Sequence, residues 1–279
     1  TPDDYWFFPQ LGINKALREI DDHRPVIISF KFDLGDKEEF IKHLKRLKGE
    51  DFDGLLTAPI YPEELSSFIK NMSHDREIVL IDSLLQGVET DFVGQDVKKS
   101  GEVAGKLMNL LIKGKRNSQI LIPKLVSNIQ SIPIIEQRIK GFEHYLNLYN
   151  PATILTQTTI TIKSEQHAIP ELKKLLKNQF DGIFVPNSRS GLVVSNLSKN
   201  ASIIGYDLTS ENINLLKSEK LDFIISQQPE RQGYMAIKRL FNKIISNERS
   251  TNKYFLPIDI LTKENLDNYV NNQGDFDSD

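Results

Sequence analysis

Short apolar runs alternate with longer amphipathic stretches along almost the whole chain, and this alternation constrains the fold more than any other feature. Runs rich in Ile, Leu, Val and Phe, each too short for a helix, are typical of buried strands. They occupy residues 26–30, 54–57, 78–81, 119–122, 153–156, 182–185, 202–205 and 223–225. Segments of helical period lie between them, at 11–22, 37–49, 62–71, 100–113, 132–149, 165–178, 191–199, 210–218 and 232–247. Strands that alternate with helices pair in parallel through right-handed crossovers, so the sequence predicts an α/β fold.

Length and composition narrow the class of protein. The 279 residues fit two lobes or one large domain, and 39% hydrophobic with 26% charged residues is ordinary for a globular chain. With 35 Lys and Arg against 38 Asp and Glu, the net charge of −3 lacks the basic excess of a nucleic-acid-binding surface. The sequence has no Cys, which excludes disulfides, thiolate metal sites and thiol nucleophiles.

The motifs of common catalytic and cofactor sites do not occur. The five histidines show no spacing typical of a metal site, and neither a phosphate-binding glycine loop nor a nucleophile elbow is found. We therefore expect no cofactor, no metal and no enzymatic activity. No apolar stretch approaches the length of a membrane-spanning helix, so we also expect no membrane partner.

Polar side chains follow four of the predicted strands, at the edge where parallel sheets bind ligands. Asp82 and Ser83 follow the strand at 78–81, and Asn187, Asp207 and Gln227 follow three later strands. Carboxylate and amide groups at several strand ends suit a polyhydroxylated ligand, because they can satisfy several hydroxyls at once. Each residue alone has an ordinary alternative, as a helix N-cap or a turn residue.

Several segments resemble type I periplasmic-binding-protein-like domains, over nearly the whole chain. They are FVGQD at 92–96 with SG at 100–101, RIKGF at 138–142, IIGYD at 203–207, and DFIISQQP at 222–229 with GYMA at 233–236. The resemblance implies two Rossmann-like lobes with parallel central sheets, joined by a hinge of three chain crossings near 94–97, 226–229 and 248–253. The lobes would comprise 1–94 plus 228–247 and 95–227 plus 248–270, with a polar tail at 271–279.

The resemblance also assigns roles to individual residues. Tyr5 and Trp6 fall where the family places aromatic rings that stack on a sugar, although an aromatic patch at 5–8 could equally pack in a core. The polar ligand contacts of the family fall on Asp82, Arg138, Asn187, Asp207 and Gln227. In that arrangement Asp accepts from paired hydroxyls, and Arg donates in a planar fork.

The family contains two functional classes that share this fold. We expect the effector-binding domain of a lac-repressor-type transcription regulator, which binds a sugar or sugar derivative, forms a homodimer and works in the cytoplasm. The alternative is a periplasmic sugar-binding protein or sensor domain. The family's first strand and the helix-turn-helix headpiece of its regulators precede the segment that matches residue 1. DNA binding is therefore expected only through a headpiece that this sequence does not contain.

Overall fold

The computed structural model describes residues 4–72, 76–126, 132–162, 165–197, 201–246 and 251–271, and only the backbone at 4, 165–167 and 271. Among these residues the chain divides into two compact units. Unit 1 takes 4–95 and 228–257, and unit 2 takes 96–227 and 258–271. The chain therefore passes from one unit to the other three times, after Gln95, Gln227 and Pro257.

Helices and strands alternate through most of the described chain. In chain order the helices are α1 (Phe7–Glu19), α2 (Lys37–Lys48), α3 (Pro62–Lys70), α4 (Val97–Leu111), α5 (Ile132–Tyr149), α6 (Glu165–Leu175), α7 (Ser190–Val194), α8 (Ser210–Lys217), α9 (Pro229–Ser246) and α10 (Lys263–Asn271). The strands are β1 (Gly54–Thr57), β2 (Glu77–Ile81), β3 (Asp91–Gly94), β4 (Gln119–Val126), β5 (Ile154–Thr161), β6 (Gly182–Phe184), β7 (Ser202–Tyr206), β8 (Phe223–Ser226), β9 (Lys253–Phe255) and β10 (Asp259–Leu261).

The sheet of unit 1 has the order β1-β2-β3-β9, and all its pairings are parallel. Successive side chains of β2 face opposite sides of this sheet, as strand geometry requires. Leu80 packs in one buried cluster with Phe40 of α2 and Leu65 of α3. Val79 packs in another with Leu240 of α9. Helices therefore cover both faces, which is the layering that a parallel sheet needs.

The sheet of unit 2 has the order β10-β8-β7-β6-β4-β5 and is parallel except for β10, which runs antiparallel to β8. In β7, Ile203 and Ile204 belong to the buried clusters on opposite faces. On the α4–α5 face, the rings of Phe142 and Phe184 stack with their centroids 4.3 Å apart. The predicted α/β fold, with a largely parallel sheet in each unit, is confirmed.

The predicted strand at 26–30 is wrong. The segment forms no strand with any described part of the chain, and Val26 is 90% exposed. Its β-branched residues favour a strand, but a strand forms only where a neighbour satisfies its backbone groups. The end strand β1 pairs with β2 alone among the described residues. The sequence analysis does not predict three short strands and one helix, which are β3, β9, β10 and α10. Their apolar runs are too brief to mark them.

Residues 251–257 lie in unit 1, which differs from the predicted division. The sequence places this stretch in the second lobe, whereas β9 extends the sheet of unit 1 beside β3. The Leu256 N–H donates to the Gly94 carbonyl over 2.7 Å, and the ring of Phe255 lies 5.7 Å from that of Phe92. These contacts move the third crossing to Pro257. Residues 272–279 of the predicted tail lie outside the described residues.

Candidate functional site

Asp82 is the first residue after β2 and has a left-handed backbone, with φ of 70°. Its N–H donates to Oε1 of Gln232 over 3.1 Å, and its Oδ1 accepts from the hydroxyl of Tyr5 over 3.0 Å. No helix begins at Asp82, so the N-cap alternative does not account for it. Left-handed backbone is uncommon in a non-glycine residue, and aspartate is one of the residues that adopt it most readily.

The sequence also predicts Tyr5, Trp6 and Ser83 as site residues in unit 1. Tyr5 contacts Asp82 through its hydroxyl, and Ser83 follows Asp82 in the chain. Tyr5 and Trp6 occupy a short 3₁₀ turn before α1, and their rings meet edge to face with centroids 5.3 Å apart. Trp6 also packs against the buried cluster that contains Val79, so it serves the core as well. Ser83 is half-buried, and its N–H donates to the Ile81 carbonyl over 2.8 Å.

Asp207 repeats this geometry in unit 2, immediately after β7. Its φ is 66°, its N–H donates to the Ile225 carbonyl over 3.0 Å, and its Oδ1 accepts from Nε2 of Gln227 over 2.7 Å. The N-cap of α8 is Thr209, so Asp207 is not a cap. Two residues that the sequence placed on different strands are thus in direct contact.

Arg138 projects from α5 and is only 4% exposed. Its Nη1 donates to the Pro186 carbonyl over 2.7 Å, and its guanidinium lies 4.1 Å from the ring centroid of Tyr206. Its Nε is buried and has no acceptor among the described residues. The close packing of α4 on α5 depends on Gly101, where a Cβ would come within 2.0 Å of the Arg138 carbonyl oxygen.

Tyr206 is completely buried under this guanidinium. Its hydroxyl donates to Oγ of Ser100 over 3.1 Å. Burial raises the pKa of Tyr206 to about 12, although the nearby Arg138 charge opposes the shift. The phenol is therefore neutral at physiological pH and offers its ring face to Arg138.

Asn187 lies in the turn after β6, and its side chain forms hydrogen bonds with backbone groups. Its Nδ2 donates to the Leu125 carbonyl over 2.7 Å, and its Oδ1 accepts from the Arg189 N–H over 3.2 Å. The second contact is that of an Asx turn. The turn alternative therefore accounts for the second contact, whereas the first joins the turn to the end of β4.

Three contributors to these strand ends were missed by sequence reasoning. Gln232, Ser100 and Tyr206 are buried polar residues that contact Asp82 or lie beside Arg138. Gln232 and Ser100 lie on helices distant in sequence from the residues they serve, and no local pattern marks them. Tyr206 ends a strand and read as an ordinary core residue.

No group of three or more His, Asp or Glu side chains within the described ranges is placed to hold a metal ion. No helix in the described part of the chain combines the length and apolar character needed to cross a bilayer.

The chain belongs to the family described as the periplasmic binding protein domain, which residues 1–248 match. Among solved structures, a Bacteroides fragilis protein assigned as a LacI transcriptional regulator superposes with a TM-score of 0.86 at 26% identity. That alignment covers 95% of this chain and 94% of the other. The resemblance to type I periplasmic-binding-protein-like domains is confirmed.

Two curated relatives carry the names of sugar-binding proteins. The xylose/arabinose-binding protein XylF of Sulfolobus acidocaldarius is 26% identical over 64% of this chain. The ribose import binding protein RbsB of Haemophilus influenzae is 22% identical over 69% of this chain. The matches span 46% of the length of XylF and 64% of the length of RbsB.

Proposed function

We propose that the chain binds a sugar through the polar residues that directly follow its parallel strands. One observation carries this proposal. Each unit holds a buried aspartate directly after a parallel strand, in left-handed backbone, with a carboxylate oxygen that accepts from a side-chain donor. Strained backbone of this kind persists only where the surrounding structure imposes it.

The chemistry of these residues suits an aldose. The carboxylates of Asp82 and Asp207 are acceptors for sugar hydroxyls, and the Arg138 fork is a donor. The ring of Tyr5 carries a flat apolar face of the kind that packs against sugar C–H groups. Because the curated relatives are named for xylose, arabinose and ribose, pentoses are the first candidates for the ligand.

Two biological settings fit a sugar-binding domain of this family. We favour the effector-binding domain of a cytoplasmic lac-repressor-type regulator, which dimerises and reaches DNA through a headpiece outside this sequence. The superposition on the Bacteroides fragilis protein supports this assignment. The second candidate is a periplasmic solute-binding protein, supported by the names of the two curated relatives. In both settings the domain binds its ligand without transforming it.

Calorimetric titration of the purified chain with D-ribose, D-xylose and L-arabinose tests the proposal. We expect saturable binding of at least one of these sugars at one site per chain. Mass spectrometry of the chain under native conditions, after expression in cells, would reveal a co-purified sugar of another class. Absence of binding in the titration, together with absence of any co-purified small molecule, would refute sugar binding.

A further inference from the structure

Asn212, in the first turn of α8, is completely buried and faces three backbone carbonyls. Its Nδ2 lies 2.8 Å from the carbonyl oxygen of Tyr206, 3.0 Å from that of Asp207 and 3.1 Å from that of Ser188. The orientation of the amide is unambiguous, because the reverse one would place Oδ1 against three acceptors. The two hydrogens of Nδ2 are thus shared among these three oxygens.

These contacts join two separate strand ends. Tyr206 and Asp207 end β7 and begin the turn after it, whereas Ser188 lies in the turn after β6. Beyond the end of each strand the backbone is no longer paired with a neighbouring strand. Its carbonyl groups therefore need hydrogen-bond donors from elsewhere. Asn212 supplies these donors from one side chain.

Capping the helix does not explain the buried amide. Thr209 is the N-cap of α8, and its Oγ1 accepts from the backbone N–H of Asn212 over 3.2 Å. The side chain of Asn212 is directed to the strand ends, and its Oδ1 has no partner among the described residues. Burying an amide whose oxygen has no hydrogen-bond partner costs stability. This cost indicates that the hydrogen bonds donated by Nδ2 are more important than the packing of the side chain.

We propose that Asn212 is a positioning residue for the sugar site, because it holds the Asp207 backbone in its left-handed conformation and couples it to the turn after β6. The inference rests on the proposed function of Asp207. Among the contacts that hold Asp207 are its N–H on Ile225, its carboxylate on Gln227 and its carbonyl on Asn212. Removing the last one loosens the backbone from which the carboxylate projects.

The test compares Asn212→Ala with Asn214→Ala, an exposed asparagine in the same helix. The first readout needs no ligand: hydrogen exchange of the Asp207 amide, which is bonded to Ile225. We expect Asn212→Ala to speed this exchange about tenfold, as loss of roughly one hydrogen bond should, while the Leu216 amide in α8 keeps its wild-type rate. Asn212→Ser, which keeps one donor, replaces the alanine variant if that does not fold.

The second readout is affinity for whichever pentose the wild-type chain binds. We expect Asn212→Ala to weaken binding about tenfold, and less than about twofold when Asp207→Ala is already present, because both act through one carboxylate. Unchanged affinity, or equal losses in both backgrounds, would overturn the proposal. If the wild-type chain binds no pentose, the exchange rate of the Asp207 amide decides alone, and an unchanged rate overturns the positioning role.

Discussion

The Nε2 of Gln227 donates to Oδ1 of Asp207 over 2.7 Å and so holds the carboxylate in one orientation. Such a fixed acceptor loses little conformational entropy when it binds a hydroxyl, so it can contribute more affinity than a mobile side chain.

Arg138→Ala should lower both sugar affinity and stability. Loss of a charge-assisted donor should weaken binding by about 1.5–3 kcal/mol, roughly 10–150-fold. The sequence alone predicts little loss of stability, on the view that a cleft arginine is outside the core. At 4% exposure and bonded to Pro186, Arg138 is instead buried, and its removal should cost about 1–3 kcal/mol of unfolding free energy.

Calorimetry and urea unfolding of this variant measure the two effects separately. Lys140→Ala, an exposed charge in the same helix, is the matched control and should change neither. If Arg138→Ala destabilises the chain but binds sugar as the wild type does, the arginine is purely structural.

Asp91→Asn should be among the most destabilising single changes in unit 1. Asp91 is completely buried at the start of β3 and accepts from Lys243 and, over 2.9 Å, from Nε of Arg239. Burial alone would lower the pKa of Lys243, but hydrogen bonds to Asp91 and Glu77 raise it. Removing this buried negative charge takes a carboxylate partner from Arg239 and from Lys243, although Lys243 keeps Glu77 at 2.8 Å, so we expect a loss of about 3 kcal/mol.

Chemical denaturation followed by circular dichroism checks this loss. Lys217→Gln, which breaks the exposed pair with Asp267, is the control and should cost less than about 1 kcal/mol. Similar small losses in both variants would show that the Asp91 cluster contributes no more than a surface pair.

Asp181 should stabilise unit 2 only above acidic pH. The Gln119 N–H over 2.8 Å and Nζ of Lys115 over 2.9 Å together lower the pKa of Asp181 below its usual value of 3.8. Because the folded pKa is the lower one, the contribution is complete above the unfolded value and is lost as pH falls through the folded value. Asp181→Asn should therefore cost about 1 kcal/mol at pH 7 and progressively less in acid.

Unfolding curves at a series of pH values from neutral to acid measure this difference. Asp267→Asn is the matched control, since its carboxylate is 75% exposed. A loss in Asp181→Asn that does not shrink in acid would mean that its charge plays no part.

The sequence was sufficient for most of the fold and named candidate residues at the ends of its strands. The α5 bounds follow from its period, and Asp207 and Gln227 follow from their positions after strands. The strand at 26–30 was mispredicted because strand propensity does not say whether a neighbouring strand is present. β3 was missed because only Phe92 and Val93 form its apolar run.

The sequence does not predict the contacts between residues that lie far apart along the chain. Gln232 meets Asp82 from a helix 150 residues further along the chain, and Tyr206 meets Ser100 across 106 residues. Neither the residue types nor their spacing signals such contacts, because they depend on how the helices pack on the sheet.

The oligomeric state separates the two biological settings. A lac-repressor-type regulator pairs through its effector domains so that two headpieces meet two half-sites. Sedimentation at micromolar concentration should then give about twice the chain mass of 31.9 kDa. A monomer would favour the solute-binding protein.

The most direct test of the account is the affinity of Asp82→Ala and Asp207→Ala for the sugar that the wild-type chain binds. Each variant should lose about 10–150-fold, because each removes a fixed acceptor for sugar hydroxyls. Asp51→Ala in unit 1 and Asp267→Ala in unit 2 remove exposed carboxylates and should bind like the wild type. Wild-type affinity in both strand-end variants, with their folds intact, would contradict the central claim.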